Sequence, residues 1–145
     1  MYKFVLNLHS GWAFIVLIML VISFINAYAG FASKKAFMPK DRRISLFALI
    51  AVHLQFVVGL LLYFTSPNGM QKIQAVGMSG MSAMDRLLAL EHPLINLIAV
   101  TLITIGWSKH KRAMESTSKF KSLAILYGLG LLLLLSRIPW ANWFA

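Results

Sequence analysis

The sequence predicts an all-α protein, a polytopic membrane four-helix bundle, and three observations lead there. Four stretches are each long and apolar enough to cross a bilayer, residues 4–31, 44–65, 87–107 and 123–143. Hydrophobic residues make up 59% of the 145 and charged residues only 12%, so the apolar runs exceed what a water-soluble core of this size buries. Ten of the 14 lysines and arginines gather in two short connections instead of spreading over a surface. One four-span domain follows, with the lipid bilayer as its solvent. A net charge of +10 placed beside apolar spans reflects membrane topology, and no soluble basic face is left for nucleic acid.

The first span is the longest. Asn7, His9 and Ser10 near its start place its first turns in the interface. Lys3, the apolar stretch and the small residues around Ala27 and Ala29 imitate a secretory signal, but the next loop carries Lys34, Lys35, Lys40, Arg42 and Arg43, a cluster retained on the cytoplasmic side. The connection between the third and fourth spans repeats this with Lys109, Lys111, Arg112, Lys119 and Lys121. Only Lys3, Lys72, Arg86 and Arg137 lie elsewhere, so both basic loops are expected inside and both termini outside.

The remaining connection, 66–86, holds Pro67, Asn68, Gly69, Gly77 and Gly80 and reads as a flexible outer loop. Ser82 and Asp85 form a capping box ahead of the third span. Met70, Met78, Met81 and Met84 fall in the same stretch; thioethers favour Cu(I), but adaptable apolar filler is the stronger reading.

Chemistry centres on histidine. The chain has no cysteine, which excludes disulfides, thiolate ligation and covalent haem attachment. Measured from the basic end at 1.5 Å per residue, His53 stands roughly 15 Å deep, His92 about 22 Å and His9 about 30 Å. His110 falls among Lys109, Lys111 and Arg112 and is expected on a solvated basic face. Ionisable groups inside a bilayer need a partner, water or a cofactor. Two neutral imidazoles from different helices suit a b-type haem, one on each face of the iron, with His53 and His92 the favoured metal ligands and His9 with His92 the alternative. Arg137 is placed to meet a haem propionate or to snorkel to the headgroups. Glu91 is expected to pair with Arg86 or Arg137, and Gln55, Asn96, Thr101 and Thr104 to form interhelical hydrogen bonds.

The runs His9-Ser10-Gly11, His53-Leu54-Gln55 with Gly59-Leu60 and Tyr63, and Glu91-His92-Pro93 leading to Thr104-Ile105-Gly106 resemble short bacterial four-span membrane proteins labelled cytochrome B-like. The likeness extends to the basic stretch 109–121 and the closing Arg137-Ile138-Pro139-Trp140, nearly the whole chain. It implies residence in the bacterial inner membrane, haem b, single-electron transport and motif histidines at His9, His53 and His92. A lipid-soluble quinone is the natural partner for such a carrier. A weaker likeness, carried by Leu8-His9 and the four-span layout, is to membrane protoporphyrinogen oxidases. The rival expectations are a haem-free accessory or assembly subunit of a larger membrane complex and an enzyme acting on a porphyrin or quinone.

Overall fold

The computed structural model describes residues 1–144. Helix α1 spans Tyr2–Ser33, α2 Pro39–Thr65, the short α3 Met70–Val76, α4 Ala83–Arg112, α5 Ser116–Ser136 and the short α6 Trp140–Trp143. No strand occurs among the described residues. Helices α1, α2, α4 and α5 are the four long and apolar enough to cross a membrane, so the chain is an all-α multi-pass membrane protein. They form a ring in which α1 packs on α2 and α5, and α4 on α5 and α2, the α2–α4 seam being the most open. Helices α1 and α4 therefore face each other diagonally, as do α2 and α5.

Local sequence explains the helix ends. Pro39 starts α2, where its missing N–H costs nothing, and Asp41 two residues on accepts from the Met38 amide at 2.8 Å. Helix α1 closes on Lys34 in the left-handed region, φ 55°, which returns the chain to Gly30 and Phe31 carbonyls. The capping box expected at Ser82 is present, its hydroxyl accepting from the Asp85 amide at 3.1 Å while Asp85 accepts from the Ser82 amide.

Two expectations need correction. The fourth span stops at Ser136, not at 143, because Pro139 cannot continue a helix and biases Ile138 away from helical geometry; the chain breaks and restarts as α6. The connection 66–86 is not a featureless loop, since Met70–Val76 forms two turns of helix before Gly77 (φ 70°) ends them.

The closely packed core lies in the half of the bundle nearer the basic loops. Leu20, Ala48, Val52, Ile103, Phe120, Leu123 and Tyr127 are all buried there. Gly30 lets the Phe120 ring lie flat on α1, where any Cβ would collide with it. Tyr127 reaches across the diagonal and donates to the Ser45 carbonyl at 2.9 Å, which satisfies a hydroxyl that no water reaches.

Candidate functional site

The opposite half of the bundle is built differently. His9 on α1 and His92 on α4 meet across the diagonal with ring centroids 6.2 Å apart and planes at 88°. The His92 ring is held from two sides. Its Nδ1 donates to the Arg137 carbonyl at 2.9 Å, exposed because α5 has just ended, and its Nε2 accepts from the Asn96 amide at 3.1 Å. A carbonyl can only accept, so the proton sits on Nδ1 and the lone pair on Nε2.

His9 rests against Gly59 on α2; a Cβ there would stand 3.1 Å from the imidazole Cε1. The absent side chain is what admits the ring. Gln55, one turn away on α2, donates to the His9 carbonyl at 2.7 Å. Among the described residues, three buried side-chain polar atoms are without a partner: His9 Nδ1, Gln55 Oε1 and Asn96 Oδ1. All three belong to this one cluster. Each unpaired buried group costs about 1–3 kcal/mol, so their concentration at one place makes this cluster the candidate site.

The rim and the backbone also depart from the rule. Arg137 and Glu91 pair at 3.6 Å, the partner expected for Glu91, with both side chains about half exposed. Trp143 on α6 donates to the Ser10 carbonyl at 3.2 Å and ties the C-terminal segment over α1. Directly before His92, residues Leu87–Glu91 form a π-helical turn, an irregularity that concentrates at functional sites.

The structure does not bring His53 to His92. His53 lies on the lipid side of the α2–α4 seam, and its Nε2 stands 2.8 Å from the Thr104 hydroxyl oxygen. Thr104 is 12 residues beyond His92, about 18 Å along α4. No single iron spans that interval, so of the two sequence-derived pairs only His9 with His92 is assembled. Depth counted along separate helices missed this, because it carries no information on which way around each helix a side chain points. Thr104 donates its own proton to the Val100 carbonyl at 2.7 Å, so His53 Nε2–H is the donor between them and Nδ1 is left as a bare acceptor. A groove of about 420 Å³ opens to lipid there, walled by Phe56, Val57, Val100 and Ile105.

His110 also corrects its expectation. It is 1% exposed, its ring 4.5 Å from that of Trp107 and 5.4 Å from that of Phe37, with Nδ1 donating to the Trp107 carbonyl at 2.7 Å. The neighbouring lysines suggested solvent; the aromatic rings of Phe37 and Trp107 cover it instead.

His9 and His92 are the two imidazoles at this site that would hold a haem iron, their ring centroids 6.2 Å apart. Two imidazoles gripping one ion through nitrogens at about 2 Å place their centroids roughly 6 Å apart. The Arg137 carbonyl on Nδ1 is the kind of second contact that fixes a ligating tautomer, and the space left by the missing Cβ of Gly59 is taken by the His9 ring itself. Set against protein-family models, curated proteins and solved structures, the chain matches none. Its site is therefore read from geometry.

Proposed function

We propose that this chain is a membrane haem protein that holds one b-type haem between His9 and His92 and passes single electrons. The observation that supports it is the diagonal imidazole pair, surrounded by the three unpaired buried polar atoms of the molecule's described residues. When bound, haem contributes reversible one-electron transfer at the iron.

The protein's own groups have defined tasks. The Arg137 carbonyl keeps the proton on His92 Nδ1, and Nε2, which here accepts from the Asn96 amide, would be the ligating nitrogen once that bond is given up. The Arg137 guanidinium, shared with Glu91 at the rim, is the cation for a propionate. A quinone is the lipid-soluble partner in this reading. The groove at His53 suits it, since a hydroxyl on a reduced quinone ring satisfies the bare Nδ1 while the apolar walls hold the ring. With the basic loops inside, the haem end faces outward.

A reduced-minus-oxidised absorption spectrum of the detergent-purified protein tests this. A Soret difference band is expected, abolished by either His9→Ala or His92→Ala and retained by His53→Ala. A colourless protein that co-purifies stoichiometrically with other membrane subunits would replace it with the accessory-subunit reading.

A further inference from the structure

At the basic end, a second concavity of about 470 Å³ is formed where α2, α4, α5 and the α1–α2 connection meet. Arg42, Lys111 and Lys119 line it from three different helices, and Phe37, Met38 and Pro39 form its apolar side. None of the three cations has a carboxylate. The ion pairs among the described residues engage Lys35, Lys72 and Arg137 instead. The one buried carboxylate nearby, Asp41, is taken up by Lys35, Asn26 and the Met38 amide.

Two of the cations are held in place without being neutralised. The Arg42 guanidinium lies 5.2 Å from the Trp107 ring centroid, and Lys119 donates to the His110 carbonyl at 2.9 Å while standing 5.8 Å from the Phe37 ring. Cation–π and carbonyl contacts orient a charge but leave its field open to an anion. The buried His110 ring packs against both Trp107 and Phe37, the two rings that these cations face.

We infer that this groove binds the phosphate of an anionic glycerophospholipid. The shared chemistry is a phosphate oxygen cluster, and the surroundings select the lipid source over a free ion. The groove sits where the apolar spans end, the level at which headgroups would meet them. Exposed apolar side chains stand at the same end, Met38 at 53% and Met114 at 93%, placed for the glycerol and upper acyl region and ill placed for open water. Basic pockets between transmembrane helices are a known physical form of headgroup recognition. The site is independent of haem, lying at the other end of the bundle.

Native mass spectrometry of the full chain in detergent tests the inference, with phosphatidylglycerol, phosphatidylcholine or inorganic phosphate added at equal concentration. One tightly retained phosphatidylglycerol per chain is expected, with retention of phosphatidylcholine at least tenfold weaker. Lys111→Gln removes a cation that makes no ion pair, and is expected to weaken phosphatidylglycerol binding about fivefold without altering thermal unfolding in lipid-free detergent. The triple variant Arg42→Gln, Lys111→Gln, Lys119→Gln should lose it altogether, while Lys34→Gln with Arg112→Gln, outside the groove, should not. Equal retention of phosphatidylcholine, displacement of the lipid by inorganic phosphate, or undiminished binding in Lys111→Gln would each overturn the inference.

Discussion

The two halves of this bundle solve the same problem in opposite ways. Toward the basic loops, the four spans close on Leu20, Ile103, Phe120 and Tyr127, and the polar atoms buried among them are paired, as when Tyr127 reaches the Ser45 carbonyl. Toward the other end, the same helices converge on His9, Gln55, His92 and Asn96 and leave three buried polar atoms unsatisfied. Lipid offers no hydrophobic drive for helices to associate, so close packing and complete hydrogen bonding are what hold them. The first half has both. The second gives up part of its stability, and such a deficit is characteristic of a place shaped for something other than itself.

Substitutions can break that contrast or sharpen it. The largest effect is expected from Phe120→Ala, which empties the contact with Gly30 and should destabilise the protein by about 3–5 kcal/mol. Reversible unfolding in mixed micelles measures it, and a loss below about 1 kcal/mol would mean that the core half is less tightly packed than described.

Asp41→Ala comes next. It strips the cap from α2 and leaves Asn26 and Lys35 without their acceptor, with an expected cost of about 2–3 kcal/mol in the same assay.

In the other half the cost should shrink. Asn96→Leu removes the orphaned Oδ1 but leaves His92 Nε2 without its donor, so stability should change by about 1 kcal/mol or less while any haem signal is kept. A strong destabilisation would place Asn96 with the structural residues. Gly59→Ala should displace the His9 ring, changing the Soret band position more than the unfolding midpoint. The smallest change is expected from Lys34→Gly, which relieves a left-handed lysine and should add about 1 kcal/mol or less.

Much of the fold was legible in the residues, and the reasons are physical. Span length against bilayer thickness is a one-dimensional quantity, so four apolar runs translate directly into four helices, and Ser82 with Asp85 marked the start of α4 by local chemistry alone. What depended on rotation about the helix axis was not legible. His53 and His92 stand at similar estimated depths, yet one faces lipid and the other the bundle diagonal. The cluster around His92 also relies on a backbone atom, the Arg137 carbonyl, which no side-chain inventory reveals. Pro139 was the available clue, because a proline there ends α5 early and leaves that carbonyl unclaimed. Gln55 and Asn96 were assigned ordinary hydrogen bonding, and their unpaired oxygens emerge only when three helices are placed together.

The wide turn at Leu87–Glu91 carries a consequence for how such a chain tolerates changes in length. Holding one residue more than a regular helix needs over that stretch, it shifts by one position the sequence register of the faces above it relative to those below. Losing a single codon within it would restore a regular spiral and leave the Ser82 cap and His92 on the faces they now occupy. The segment is thus a reserve of length, able to shed one residue without re-aiming either end of the helix.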